Sequence, residues 1–251
     1  MLDVKRENSL GYGYAKDNLH GFFEGKKFKV LNVATLVALS GEFVRDDREA
    51  YFQCKRIIGS DGKTFHLIDS TYNYAKDSKF SYFYQTATHE IKIIPCRTST
   101  FHHLEGSFST DDLSVFFEYY KLKDADSKTF QIVDEGFSKD EHHVYFKDKL
   151  LLGARATAFK ILKENSSVDS YNTHFSTDGE LVFWEGSVLS NANASTFLAL
   201  PKGYGKDGGL VFYQNIVVVG ADAKTFNIME GGLGDAADLK NKFLEGQLIK
   251  D

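Results

Sequence analysis

A dozen residues recur along this chain at nearly constant spacing. "GADAKTFNIMEGG", which begins at Gly220, has close counterparts in "GSDGKTFHLIDS" from Gly59, "KDADSKTFQIVDEG" from Lys123, "GARATAFKILKE" from Gly153 and "SNANASTFLALPKG" from Ser190. Self-similarity at a fixed period is the signature of a repeat architecture, and it constrains the fold more than any other feature of the sequence.

A second element precedes these segments and pairs an aromatic residue with an aspartate three positions later. It occurs at 14–17, 43–46, 74–77, 108–111, 137–140, 175–178 and 204–207. In six of the seven cases its aromatic lies 22 positions before an apolar residue that we expect to anchor the core. These anchors are Leu36, Phe65, Phe130, Phe159, Phe197 and Phe226. The third copy, from Tyr74 to Phe101, has five extra residues, and the repeat unit is about 29 residues long.

Local patterns within a unit favour β-structure. The aspartate begins a turn, and runs such as "VYFKDKLLL" and "LVFYQNIVVV" follow, with turn-prone pairs at their centres (Glu24-Gly25, Lys147-Asp148, Glu185-Gly186, Gln214-Asn215). Each unit is therefore predicted to form three strands of a meander. The "ADAKTF" segment then connects units through one helical turn, which Asp126, Asn193 or Asp222 caps.

We therefore predict an all-β protein of seven to eight β-meander repeats, stacked into a curved solenoid-like array within a single repeat domain spanning 1–251. The repeats begin near 11, 41, 71, 106, 136, 174, 203 and 233, and the eighth is a degenerate copy at "DLKNKFLEGQLIKD". For that last segment a C-terminal helix is the competing interpretation. A closed β-propeller is the alternative for the whole chain, although the unit is short for a four-stranded blade.

The aromatic-x-Lys-Asp element, the "VYF" run and the "GADAKTF" segment together resemble the DKNYY repeat family of bacterial proteins. The resemblance extends from about Gly11 to Leu248, although no copy has the sequence Asp-Lys-Asn-Tyr-Tyr. It implies a bacterial, non-enzymatic repeat module and supplies no active site. It also implies a setting at the cell surface or in the periplasm, in some cases beside toxin genes.

Composition narrows the function classes. The formal net charge of −5 argues against nucleic acid as a partner and fits a basic protein partner. No apolar run is long enough to span a bilayer. The first residues do not form a secretory signal, so we expect a cytoplasmic protein, or a periplasmic one if a signal has been removed. Cys54 and Cys96 impose no disulfide framework, and a single bridge between them stays open.

Catalytic and cofactor motifs are missing from the sequence, and we expect no enzyme and no cofactor or metal. Two histidine pairs, His102-His103 and His142-His143, lie on a strand and in a turn, where neighbouring side chains diverge. Turn formation accounts for the seven recurring aspartates better than a row of carboxylate ligands does.

Departures from the repeat are the more informative candidates for function. One is the insertion in the third copy, with Thr86, His89 and Glu90, and the other is the polar loop within 163–174, with Glu164, Asp169 and Tyr171. Insertions in repeat proteins form loops that often bind partners. The alternative is that these loops are tolerated without a function.

These observations predict a non-catalytic protein-binding repeat protein, most specifically a bacterial immunity protein that neutralises a cognate toxin. Glu164 and Asp169 would then face a basic cleft of that toxin. The alternative is a cell-envelope protein that binds glycan or acts as a surface scaffold through exposed tyrosines.

Overall fold

The computed structural model describes residues 8–69, 73–134, 136–163, 174–230 and 234–249. It consists of β-strands joined by turns and by one short 3-10 turn at Val33–Thr35. The chain divides into two compact units: unit 1 comprises 1–122 with 126–128, and unit 2 comprises 123–125 with 129–251. The all-β repeat fold predicted from the sequence is confirmed.

Unit 1 contains four antiparallel four-stranded sheets, one for each of the first four copies of the repeat. In chain order its strands are β1 (Asn8–Gly11), β2 (Tyr14–Lys16), β3 (Gly21–Phe23), β4 (Lys26–Phe28), β5 (Val37–Ala38), β6 (Phe43–Arg45), β7 (Ala50–Phe52), β8 (Lys55–Ile57), β9 (His66–Asp69), β10 (Tyr74–Lys76), β11 (Ser81–Gln85), β12 (Glu90–Ile94), β13 (His102–His103), β14 (Phe108–Thr110), β15 (Val115–Phe117) and β16 (Tyr120–Lys121).

Unit 2 contains the four sheets of copies 5 to 8, with the same strand order. Its strands are β17 (Gln131–Asp134), β18 (Phe137–Lys139), β19 (Val144–Phe146), β20 (Lys149–Leu150), β21 (Lys160–Ile161), β22 (Phe175–Thr177), β23 (Val182–Trp184), β24 (Ser187–Val188), β25 (Leu198–Ala199), β26 (Tyr204–Lys206), β27 (Val211–Tyr213), β28 (Ile216–Val217), β29 (Asn227–Ile228), β30 (Ala236–Ala237), β31 (Lys242–Leu244) and β32 (Gln247–Leu248). The degenerate eighth copy is therefore a sheet and not a helix.

Each sheet has one strand more than the sequence predicts. The residues just after each anchor form a short first strand, which pairs with the strand of the aromatic-x-x-Asp element. In copy 7, for example, Leu198 pairs with Lys206 and Ala199 with Gly205. The segment that was expected to be only a connection is thus also an edge strand.

Successive sheets stack within each unit because their central strands are apolar on both faces. In copy 3, Tyr82 and Tyr84 pack with residues of copy 2 in one cluster, whereas Phe83 packs with residues of copy 4 in the next. This stacking explains the repetition, since a lone meander of this size buries too little apolar surface to fold.

The predicted anchors occupy the interfaces between stacked sheets. Phe65 and Phe226 are buried, and each lies among aromatic rings of the sheets on both sides. Leu36, Phe101, Phe159 and Phe197 are likewise buried. Phe130 differs because it is only half-buried, although its ring lies 6.5 Å from that of Tyr145.

The recurring aspartate joins its own turn to the preceding helical turn. In copy 7, Oδ1 of Asp207 accepts hydrogen bonds from the backbone N–H groups of Gly209 and Leu210. Its Oδ2 accepts the N–H of Asn193, at the start of the turn that precedes this copy. Asp46, Asp77, Asp111, Asp178 and Asp238 make equivalent pairs of contacts. The aspartates are therefore structural, as the sequence predicts.

Two further repeat positions connect neighbouring copies. The threonine before the anchor accepts the N–H that follows the next aspartate, as Thr64 does from Ser78. The lysine before the aspartate donates to a carbonyl of the following turn, as Lys206 does to Phe226 at 2.8 Å. In copies 3 and 7 the Lys-Asp pair thus holds the preceding turn through its carboxylate and the following turn through its ammonium group.

Candidate binding surface

Three of the six residues predicted to bind a partner lie together at one hairpin tip. Thr86, His89 and Glu90 are exposed; Thr86 and His89 lie in the turn between β11 and β12, and Glu90 is the first residue of β12. The other three, Glu164, Asp169 and Tyr171, lie outside the residues that the structure describes, and they stay predictions from the sequence.

The β11–β12 hairpin is longer than its counterparts. In copies 1 and 2 the aromatic of the third strand is separated from the lysine of the fourth by two residues, as between Phe52 and Lys55. In copy 3 the corresponding pair is Phe83 and Lys92, and the ladder continues beyond it to the pair Gln85–Glu90. We call residues 84–91, which extend beyond the pair Phe83–Lys92, the overhang.

Tyr84 fixes the overhang onto copy 2. Its ring is buried, with a centroid 4.4 Å from that of Phe52, and its hydroxyl lies 2.8 Å from Nδ1 of His89. Burial raises the pKa of the Tyr84 phenol, and the charge of Glu42 adds to this effect. Ile91 packs against the same cluster as Tyr84. The overhang is therefore part of the folded core at its base.

The tip itself is polar. Thr88 donates a hydrogen bond to Oε1 of Gln85, and Nζ of Lys92 lies 2.6 Å from a carboxylate oxygen of Glu90. The hydrogen bond and charge of Lys92 hold the pKa of the Glu90 carboxyl below its usual value. His89 adopts a left-handed backbone conformation with φ of 52° that reverses the chain. The tip thus offers hydroxyl, imidazole and carboxylate groups on a buried base.

A pair of tyrosines next to this hairpin was not singled out from the sequence. The rings of Tyr119 and Tyr120 lie 4.2 Å apart, and the Tyr119 hydroxyl donates to the Tyr120 hydroxyl. Nζ of Lys92 lies 5.9 Å from the ring of Tyr119, and Tyr120 is 45% exposed. Tyr119 occupies the position in the hairpin turn that Cys54 holds in copy 2. A tyrosine is not a typical turn residue, and this departure was the signal in the sequence that could have pointed to the pair.

The histidine pairs have structural contacts. Nδ1 of His143 lies 3.2 Å from Oδ2 of Asp140. The rings of His142 and His143 are nearly perpendicular, with their centroids 6.2 Å apart. His103 lies 2.9 Å from the carbonyl oxygen of Gly106. Within the described ranges no group of three or more His, Cys, Asp or Glu side chains is arranged to hold a metal ion.

Two other features of the described chain bear on function. Cys54 and Cys96 are free thiols, each half-buried, and burial raises the pKa of both. None of the described segments is a helix of sufficient length and apolarity to cross a membrane.

A family model for the DKNYY family matches residues 43–187, which is more than half of the chain. The chain belongs to the DKNYY family. The match begins at the aromatic of copy 2 and ends in the fourth strand of copy 6, and the same four-stranded sheet continues on both sides of it. No curated protein and no solved structure matches the chain.

Proposed function

We propose that this DKNYY-family chain is a non-catalytic protein-binding repeat protein, and most specifically a bacterial immunity protein that neutralises a cognate toxin. The overhang is the observation that carries the proposal. It departs from a hairpin that the other copies keep short, its base is fixed by the buried Tyr84, and it exposes Thr86, His89 and Glu90. Binding residues are commonly found on loops that a rigid scaffold positions.

The contacts of Tyr84 and His89 favour a positioning role over proton transfer. Tyr84 is 3% exposed, and its raised pKa keeps the phenol protonated at neutral pH. Its hydroxyl is already 2.8 Å from the imidazole that it orients, and the ring lies under the tip rather than facing solvent. The Tyr84–His89 contact therefore holds the tip in one conformation before a partner binds, which lowers the entropic cost of ordering the tip on binding.

Charge supports a basic toxin as the partner. The chain carries a formal net charge of −5, and the tip places the exposed Glu90 beyond the neighbouring hairpins. The polar loop predicted from the sequence would add Glu164 and Asp169. Complementary charge accelerates association and discriminates between partners, as a toxin inhibitor requires.

The test is capture from a lysate of the native bacterium, followed by reconstitution with the purified captured protein. We expect one stoichiometric partner whose toxicity on co-expression is suppressed by the wild-type chain. The double variant Thr86→Arg/Glu90→Arg should lose both binding and protection, because it replaces the tip but keeps Tyr84. Asp148→Arg, at the exposed tip of the copy 5 hairpin, is the matched control and should retain both.

Retention of the partner by the double variant would contradict the role of the overhang. Capture of a partner without any effect on toxicity would leave protein binding in place and refute the immunity function.

The second candidate is a cell-envelope protein that binds glycan, and the Tyr119–Tyr120 pair favours it. An exposed aromatic face next to a hydroxyl suits a ligand with both apolar and polar surfaces, such as a sugar ring. Retention on purified cell-wall glycan that Tyr120→Ala abolishes, without any protein partner, would favour this function over the first.

A further inference from the structure

Unit 1 carries cations on the fourth strand of every sheet, although the whole chain is acidic. The fourth strand of each sheet is an edge, because it pairs only with the third strand in its sheet. These edges hold what we call the basic edge, namely Lys26 and Lys27 on β4, Lys55 and Arg56 on β8, Lys92 on β12 and Lys121 on β16.

The fold itself does not require these charges. The fourth strands of unit 2 occupy the same position in the same repeat, yet β20 carries only Lys149, and the other three, Ser187–Val188, Ile216–Val217 and Gln247–Leu248, carry no cation. Ile216 is 65% exposed there, so an apolar fourth-strand edge is tolerated in this chain. Lysines on sheet edges can prevent edge-to-edge aggregation, but that explanation predicts similar numbers in both units, whereas the fourth strands carry six cations in unit 1 and one in unit 2.

Four of these six cations form no ion pair within the described part of the chain. Arg56 pairs with Glu49 and Lys92 with Glu90, both at 2.6 Å. Lys26, Lys27, Lys55 and Lys121 are exposed and make no ion pair with any residue that the structure describes, although the charge of Lys55 contributes to the lowered pKa of the Glu90 carboxyl. The basic edge is therefore available to an anionic ligand.

The stacking of the sheets sets the spacing of the charges. Two of these edges contact the next copy: the Phe28 ring of β4 lies 5.9 Å from the Tyr51 ring on the third strand of copy 2, and Nζ of Lys92 on β12 lies 5.9 Å from the Tyr119 ring at the hairpin tip of copy 4. Face-to-face sheets lie about 10 Å apart. A ligand that crosses the four edges therefore meets cations at intervals of about 10 Å.

We propose that the basic edge binds an extended acidic segment of a protein, with a carboxylate at every third residue. A polyproline II segment has three residues per turn and rises about 3.1 Å per residue, so every third side chain lies on one face about 9.3 Å apart. This spacing matches the ladder of edges, whereas duplex DNA carries a charge about every 1.7 Å along its axis. The surface adjoins the tip through the Lys92–Glu90 pair, but its other cations lie on three further sheets, and its partner has the opposite charge to the proposed toxin.

The probe is a fluorescein-labelled peptide of Glu-Pro-Pro repeats, long enough to span three sheet spacings of about 10 Å each. Proline cannot pair with an edge strand, so binding of this peptide reports the charges and not strand addition. A control peptide of the same composition has its glutamates contiguous. Anisotropy titrations of the full chain at low and physiological salt give the affinities of both peptides.

Wild type should bind the spaced peptide more tightly than the contiguous one, and binding should weaken with salt. Lys26→Gln/Lys55→Gln/Lys121→Gln should weaken it about tenfold, as expected for three exposed charge contacts. The matched control Lys160→Gln/Lys224→Gln/Lys240→Gln removes three exposed lysines of unit 2 and should bind as wild type does.

Equal binding of the two peptides, or equal loss in both triple variants, would overturn the proposal, because either result indicates unspecific charge attraction. Unchanged binding by the unit 1 variant would also overturn it. If oligo(dT) binds more tightly than the spaced peptide and loses affinity in that same variant, the surface belongs to nucleic acid and the assignment to a protein segment is wrong.

Discussion

Asp46→Asn should be among the most destabilising isosteric changes in unit 1. The Asp46 carboxylate is fully buried, and Oδ1 accepts the N–H groups of Arg48 and Glu49, both at 2.8 Å. Oδ2 accepts the Tyr51 hydroxyl at 2.6 Å and the N–H groups of Leu31 and Asn32 at 3.1 and 2.9 Å. Five donors thus converge on two oxygens, and an amide replaces one of those oxygens with a further donor.

The size of the effect follows from counting these contacts. Whichever way the amide turns, its NH₂ group faces at least two donors, and each lost bond with an unsatisfied buried donor costs about 1–1.5 kcal/mol. The remaining bonds lose their charge assistance, which costs about 0.5 kcal/mol each. We expect the free energy of unfolding to fall by about 4 kcal/mol, and Tm by on the order of 10 °C.

Acid should remove part of the stability that the Asp46 carboxylate provides in the wild-type chain. Burial opposes ionisation of Asp46, but its hydrogen bonds outweigh this and hold its pKa below the usual value. Because the pKa of Asp46 is lower in the folded state than its unfolded value of about 3.9, ionised Asp46 stabilises the fold at pH values above that unfolded value. This stabilisation is lost as the pH falls through the pKa of the folded state. The Asn variant should lack that component of the acid dependence.

Urea unfolding at neutral pH and at lower pH measures both effects, and Asp17→Asn is the control. Asp17 has the same place in copy 1, but among the described residues it contacts only its own turn, through Leu19 and His20. Asp17→Asn should therefore cost much less. Equal losses in the two variants, or a loss below about 1 kcal/mol for Asp46→Asn, would refute the joining role of the recurring aspartate.

Three further predictions concern unit 2 and are checked by thermal and urea unfolding. Ser138→Ala should leave stability unchanged or raise it by up to about 2 kcal/mol, because the buried Ser138 hydroxyl has no hydrogen-bond partner among the described residues. Ala75 already fills the same position in copy 3. A clear loss of stability would show that the hydroxyl makes a hydrogen bond after all. Gly205→Ala should destabilise by about 1–3 kcal/mol, since the added Cβ would overlap the Phe197 ring, and wild-type stability would show that the ring yields freely. Lys206→Met should cost about 1–2 kcal/mol through loss of its 2.8 Å bond to the carbonyl oxygen of the following anchor, and no cost would mean that water replaces it.

Side-chain periodicity was sufficient to predict the sheets, the anchors and the tight turns. Glu24-Gly25 was expected at a hairpin tip, and both residues there have positive φ, 47° and 75°. The first strand of each sheet, just after the anchor, was missed because it is only two to four residues long, too short to show alternation. Phe130 was expected to be buried like the other anchors, and it is half-buried.

The candidate surface was only partly predictable. An insertion is visible in the sequence, so Thr86, His89 and Glu90 could be singled out. The contact that holds them could not, because Tyr84 follows two core aromatics and only the structure places its ring on Phe52 of the preceding copy. The basic edge was missed for a similar reason, since its lysines are scattered along the chain and meet only when the sheets stack.

The residues that define the repeat are the ones least available for binding a partner. The aspartate, the lysine, the threonine and the anchor phenylalanine each make contacts between successive copies, so their side chains are occupied by the fold itself. Any function specific to this chain must then depend on positions at which the copies differ. In the described ranges the largest such differences are the overhang of copy 3 and the fourth-strand cations, which number six in unit 1 and one in unit 2. Changes confined to these two surfaces should therefore alter binding while they leave stability nearly unchanged, whereas changes at the repeat positions should do the reverse.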